Sequence, residues 1–370
     1  MSRILVLGGA GAMGSVAVRD LVERTDHRVV VGELRTDEAE AMAAALGPRV
    51  SVRSVDVEDA DSLVEAVSDC DVVLSATFMR HNVRVTRAAI AAGVHMVDLG
   101  AYVWDTRDQL ELDDEARAAG CRIVPGCGVA PGLTNVLARD GAERLDAVRA
   151  IRIYSYITHP MTTSPGIVYT RFDASRGSSL VLEDGVSEER PSFSEEELVE
   201  FPPPYGPQLV HLVPHPEPLT LPRYLDVRDV VFKVGYPPDE TTRLRSLLEL
   251  DLDAAEPFEF GGAEIVPRDL VAAFVGRQGL AGLRTANVKR VILEGEREGR
   301  PATLTYDLAV EREEESASSA ITGTVAAIAA DLVANGAGRP GVHPPEGAFD
   351  PAAVLCALRL RGFEIRESWS

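Results

Sequence analysis

Lysine is almost missing from this chain: of 37 basic residues only Lys233 and Lys289 are lysines, and the rest are arginine. Chemistry that needs a lysine amine therefore has two candidates. Cysteine is scarce too, with Cys70, Cys121, Cys127 and Cys356 forming no CxxC pair and no cluster with histidine. That excludes a disulfide framework and a zinc site, and free thiols are expected. No basic block interrupts a net charge of -21, so nucleic acid and anionic membrane are excluded as partners. No apolar run approaches the roughly 20 residues that span a bilayer. The start, MSRILVLGG, lacks a charged n-region and a cleavage site, so a cytoplasmic protein is expected. None of the eight tyrosines is followed by lysine four residues later, which removes the Tyr-x-x-x-Lys proton relay of short-chain dehydrogenases.

What is present is ordinary globular material, 45% hydrophobic and 26% charged over 370 residues, enough for two domains. Apolar, β-branched runs alternate with helix-periodic segments six times through RILVLG, HRVVVGE, VSVRSVDV, DVVLSA, VHMVDLG and CRIVPG. Short strands joined by helices make a parallel, doubly wound α/β sheet, because parallel pairing requires a crossover and covers both faces. A Rossmann-type domain is expected over 1–130, its first helix starting near Ala12. After about Asp146 longer strand-like runs indicate an α+β domain over 131–317, with a hairpin turning at Gly299. The polar, Pro-rich stretch from Ser187 to Pro222 reads as an excursion, a lid or a surface loop. Residues 318–370, led by SSAITGTVAAIAADLVANG, read as a helix and tail returning to the first domain.

Gly9-Ala10-Gly11-Ala12-Met13-Gly14 is a GxGxxG that follows a strand and opens a helix. The first glycine permits a tight turn, the second lets backbone approach a diphosphate, and the third lets helix and strand pack closely. Glu33 ends the second strand, where a carboxylate accepts ribose hydroxyls and favours NAD. Arg35, two residues on, can pair with the extra phosphate of NADP. Asp56 is placed to face adenine, and Ser75, Ala76 and Thr77 end the fourth strand beside the expected diphosphate and nicotinamide ribose. Each of these also suits a strand-end cap or turn. CRIVPGCGVAPGLTNVLA is a last strand, a second glycine-rich loop and a helix, in the crevice where open α/β sheets bind ligands. Pro131 suits that helix's first turn. Cys127 and Gly128 would lie against the nicotinamide, Cys127 as a small packed residue or as a nucleophile. Thr134 and Asn135 open the helix and aim into the cleft or cap it.

On GGAGAMG, AGVHMVDLGAYV, GCGVAPGLTNVLA and SSAITGTVAAIAADLVANGAGRPGVHPPE with the tail LRLRGFEI, the chain resembles the saccharopine dehydrogenase-like oxidoreductases, particularly their lysine 6-dehydrogenase branch. The resemblance implies a Rossmann domain, an inserted α+β domain and a returning C-terminal helix. It implies oxidation or reduction of a carbon-nitrogen bond of an amino acid or amine with NAD(P), in a homodimer. The middle departs from that branch: YSYITHPMTTSP and FKVGYPPDE stand where it carries Gly-Gly-Leu-Pro-like and TlRypGH-like segments. The likeness therefore reaches cofactor and reaction type rather than lysine as substrate.

For proton transfer the candidates are Tyr102, with Asp98 positioning it or the substrate ammonium, and His81 after the fourth strand; His159 is a weaker one. For a substrate carboxylate, Arg171 and Arg223 can offer a bidentate fork. Two other functions fit the sequence: a reductase that condenses an amine with a carbonyl compound, and a non-catalytic NAD(P)-sensing protein.

Overall fold

Runs such as Ile4-Leu5-Val6-Leu7 are apolar on both faces, so they can only be interior strands with helices on either side. The computed structural model describes all residues except 101, 159, 162–164 and 276–278. The chain runs β1 (Arg3–Leu7), α1 (Gly14–Arg24), β2 (Arg28–Glu33), α2 (Asp37–Leu46), β3 (Val50–Ser54), α3 (Ala60–Val67), β4 (Val72–Ser75) and α4 (Asn82–Ala92). It continues through β5 (His95–Asp98), α5 (Val103–Leu110), α6 (Asp113–Ala118), β6 (Arg122–Val124) and α7 (Leu133–Ala142). The strands form a parallel sheet in which Ile4 lies between Val29 and Val72. This is the Rossmann-type architecture expected from the alternation. The first helix begins at Gly14, two residues later than its apolar periodicity suggests.

The second sheet is built from β7 (Ala147–Ile157), β8 (Ser178–Glu183), β9 (Val186–Pro191), β10 (Glu197–Phe201), β11 (Gly206–Leu212), β12 (Asp229–Gly235), β15 (Arg284–Arg297) and β16 (Arg300–Glu313). Between them lie α8 (Pro165–Asp173), α9 (Glu217–Thr220), α10 (Pro238–Glu249), the separate hairpin β13 (Phe258–Phe260) with β14 (Ala263–Ile265), and α11 (Pro267–Val275). The hairpin between β15 and β16 turns at Glu298 and Gly299, with φ of 53° and 70°, the left-handed pair that a two-residue turn requires. The stretch from Ser187 to Pro222 is neither lid nor simple loop. Most of it is strand: Val199 and Phe201 turn inward with Glu200 exposed between them, and Val210, His211 and Leu212 are all buried where β11 enters the sheet.

The chain ends with α12 (Ala317–Ala334), β17 (Gly341–Val342), α13 (Pro345–Ala348), α14 (Pro351–Arg359) and β18 (Ile365–Trp369). Helix α12 packs on α1, β4 and β5 and also touches β15 and β16, so it joins the two sheets. By length and composition it could cross a membrane, contrary to the reading that no run nears that length. Here it is a core helix, with 78% of its apolar window buried. β17 pairs with β6 and completes the first sheet in the order β3-β2-β1-β4-β5-β6-β17. The tail does not stay there: Arg361 pairs with Asp20 of α1 at 2.7 Å, and β18 then crosses to pair with β16 at the edge of the second sheet.

Candidate active site at the domain interface

The first glycine loop is shaped by close approach. Its tight turn is made by Gly8, at φ 72°, and not by Gly9. A Cβ on Gly14 would overlap the Gly8 carbonyl oxygen, so helix and strand meet only because both lack side chains. No side chain caps α1, which leaves its first-turn N–H groups for an anionic group such as a dinucleotide diphosphate. Ala12 and Met13 complete the loop, and Met13 sits under Gly323 of α12, where a Cβ would come within 2.5 Å of the Met13 carbonyl. Glu33 accepts a hydrogen bond from the Ala10 N–H at 2.7 Å, and burial raises its pKa against that bond. The carboxylate thus stands at the loop's edge, where the ribose of a bound dinucleotide would lie. Arg35 is exposed nearby. The cradle of bare backbone, uncapped helix and edge carboxylate fits NAD(P).

Other residues of the first domain are engaged with one another. Asp56 accepts from the Glu58 N–H, turning its own loop, while Ser75 bonds Thr77 at 3.0 Å and Asn82 at 3.1 Å. Ala76 is half-buried, and its N–H donates to the Leu7 carbonyl. His81 faces Glu58 across 3.3 Å, and burial lowers its pKa. The structure therefore does not group His81 with Asp98 and Tyr102.

Asp98 is fully buried, and its position corrects the idea that it orients Tyr102. Its carboxylate accepts from the Gly126 N–H at 2.9 Å and from Gln109 Nε2 at 2.7 Å, while its carbonyl accepts from the Cys127 N–H at 2.6 Å. It pins the second glycine loop to the end of β5. Burial raises its pKa despite these donors. Tyr102 reaches the other domain: its hydroxyl donates to the Thr170 carbonyl of α8 at 3.2 Å. Burial, then Asp173, raises its pKa. Phe78 meets Tyr169 of the same helix edge to face, with ring centres 6.1 Å apart.

In the second loop Gly132, at φ 130°, stands where a Cβ would overlap the Gly128 carbonyl oxygen, and Thr322 of α12 packs over Gly128. Pro131 precedes α7 rather than opening its first turn, and its peptide bond is cis. Cys127 has no exposed surface and its thiol lies 3.3 Å from the Val124 carbonyl; burial raises its pKa well above the ordinary value. That is the packed residue and not the nucleophile, since thiolate is what attacks.

Thr134 and Asn135 lead to a feature not foreseen. Thr134 Oγ1 donates to Glu217 at 2.8 Å, and the other Glu217 oxygen lies 2.7 Å from His215 Nδ1. Asn135 caps α7 through the Gly132 N–H and donates to Thr220 at 3.2 Å. The segment carrying Glu217 is held against α5 by the Val103 N–H on the Pro214 carbonyl, and His215 stacks on Phe232 at 3.6 Å. Glu346, 2% exposed, stands beside Thr220 and Asn135, which help hold its charge although neither makes a well-formed hydrogen bond to it. Burial pushes its pKa up to about 7. Lys289, 3% exposed, is near enough for the Glu217 charge to act on it. Two carboxylates, an imidazole and an amine thus form one buried cluster beside the second glycine loop. The rarity of lysine singled out Lys289; no sequence signal marked Glu217 or Glu346 as buried.

The arginines do not join it. Arg171 is buried inside the second domain, 3.7 Å from Glu240 and over the Tyr236 ring, and Arg223 is exposed. His159 lies outside the described residues.

A parallel sheet in this order, a glycine cradle and a second domain closing on its carboxyl edge define a two-domain dinucleotide-binding protein. Residues 4–124 match the saccharopine dehydrogenase NADP binding domain and residues 128–363 match the saccharopine dehydrogenase C-terminal domain. The chain belongs to the saccharopine dehydrogenase family, and its first domain binds NAD(P). Among characterised relatives it is 32% identical over 119 residues to alpha-aminoadipic semialdehyde synthase of Arabidopsis thaliana, covering 32% of this chain and 11% of that one. It is 27% identical over 188 residues to saccharopine dehydrogenase [NADP(+), L-glutamate-forming] of Schizosaccharomyces pombe, covering 49% and 40%. The chain thus spans less than half the length of these relatives. Its fold matches apo saccharopine dehydrogenase (L-Glu forming) from Saccharomyces cerevisiae over all of both chains, with TM-score 0.76 at 18% identity. It also matches homospermidine synthase from Legionella pneumophila in complex with NAD, with TM-score 0.70 at 10% identity over 100% of this chain and 91% of that one.

Proposed function

We propose that this chain is an NAD(P)-dependent oxidoreductase acting on the carbon-nitrogen bond of an amino acid or amine, in the manner of a lysine 6-dehydrogenase. The supporting observation is the buried cluster of Glu217, Glu346, His215 and Lys289 beside the second glycine loop. Buried carboxylates of this kind are costly unless a cation answers them, and an amine substrate is one. The bound nicotinamide supplies or accepts the hydride. Asp98 holds the loop that would face it, Tyr102 and α8 close the cleft, and Thr134 and Asn135 orient the acidic groups. Burial in this pocket excludes the water that would compete for the imine.

Purified protein with NAD or NADP, followed by nicotinamide absorbance across amino acids, diamines and amine-plus-carbonyl pairs, tests the reading. Reduction of cofactor by a single amine is the expected result. Turnover only with a pair would replace it by a condensing reductase, and cofactor binding with no turnover by a sensor.

A further inference from the structure

One ionisable group in the pocket has no part in the scheme above. Lys289 Nζ donates to Ser155 Oγ of β7 and to Asn287 Oδ1 of its own strand, both at 2.6 Å, and the Asn287 amide is held in turn by Ser318 of α12 at 2.7 Å. No third acceptor reaches the nitrogen among the described residues, so one N–H of the ammonium, or the lone pair of the neutral amine, is uncommitted. The neighbours on β7, β15 and α12 are neutral, and the charge that acts on it is Glu217, with His215 and Glu346 beyond. Burial pulls the amine down to about 7 against the pull of Glu217. The second observation is Glu346, a buried carboxyl near Glu217 that has only Thr220 and Asn135 beside it and no well-formed hydrogen bond to either, so that a cationic ligand would complete its surroundings.

We propose that Lys289 takes the proton that the substrate's ammonium sheds, while Glu217 and Glu346 hold that nitrogen. The inference rests on the carbon-nitrogen reading and adds a base to it. In the step an N–H bond of the substrate breaks, its electron pair stays on the substrate nitrogen, and the Lys289 lone pair forms a new Nζ–H bond. Nothing is oxidised or reduced, and the positive charge moves from substrate to Lys289. The substrate nitrogen then has the lone pair that an imine needs, and in the reverse direction Lys289 returns the proton. Lysine serves this purpose where burial brings its basicity near neutral.

Two lysines in the chain make the test direct. Protein labelled with carbon-13 lysine gives two side-chain signals, and Lys233→Arg, outside the pocket, leaves the Lys289 signal alone. With reduced cofactor bound, to prevent turnover, L-lysine or 1,4-diaminobutane is added at about pH 8.5, above the depressed value and below that of a free alkyl amine. The expected result is that Lys289 is neutral at this pH, the form that can take a proton during turnover, and that its signal shifts as the amine binds beside it. Backbone signals that shift while the Lys289 signal does not, or a Lys289 already protonated without amine, would overturn the inference alone. No response anywhere in the spectrum to any amine would overturn the function proposed above, and this step with it. In turnover, Lys289→Met should lower kcat/KM by roughly 10²–10⁴-fold and displace its acidic limb; an unmoved limb would count against the assignment.

Discussion

Glu346 shows what burial does to a single side chain when only the neutral groups of Thr220 and Asn135 stand beside it and no cation does. Its pKa stands near 7 against an ordinary 4.5, so the folded state holds a proton that the unfolded state has released between those values. The stability it contributes is complete below about pH 4.5 and is lost as pH rises through 7. Glu346→Gln should remove that loss, so denaturant titrations should show the variant gaining on the parent between acid and neutral pH, by at most about 3 kcal/mol. An amine ligand that fills the pocket should suppress the same difference. Glu33 works at the cofactor's other end. Glu33→Ser removes the charge beside the ribose, and calorimetry should show binding shifting toward NADP by about tenfold, the worth of one charged contact. Unchanged discrimination would mean that the carboxylate serves only the Ala10 N–H. Glu33 was legible because its place after the second strand follows from the fold. Glu346 was not, since burial of a carboxylate depends on what α7 and α9 bring to it from elsewhere.

Among elements, α12 carries the most. It lies on α1 and presses Gly323 against Met13, so the shape of the nucleotide loop depends on a helix more than 300 residues away in sequence. Gly323→Val should overpack that contact, lowering stability by about 1–3 kcal/mol and weakening nucleotide binding without touching the ligand. Thermal unfolding and calorimetry would show both, and a variant with normal cofactor affinity would break the link. The small-residue face of α12 signalled close packing, but not against which partner. The stretch from Ser187 to Pro222 was misread for a different reason: β9 is short and charged on both faces, β10 is only five residues long, and prolines stand at the end of both, so no alternation there outweighs a loop composition. Sheet neighbours supply the decision that those residues lack.

At the scale of the whole molecule the two sheets are interleaved through the C-terminal segment: α12 packs on both, β17 joins the first and β18 the second. A fragment of residues 1–130 would expose the face of α1, β4 and β5 that α12 covers. It should be aggregation-prone and bind nucleotide weakly or not at all, as light scattering and calorimetry would reveal; a soluble fragment with full affinity would contradict this. The amino-acid sequence by itself determined the doubly wound sheet, the dinucleotide cradle and the second glycine loop, because these follow from periodicity and from glycine at fixed local spacings. Only the tertiary structure decided the acidic pocket, the engagement of His81, Asp98 and Arg171 elsewhere, and the crossing of the tail. Those depend on which distant groups share a volume without water, and no local pattern encodes that.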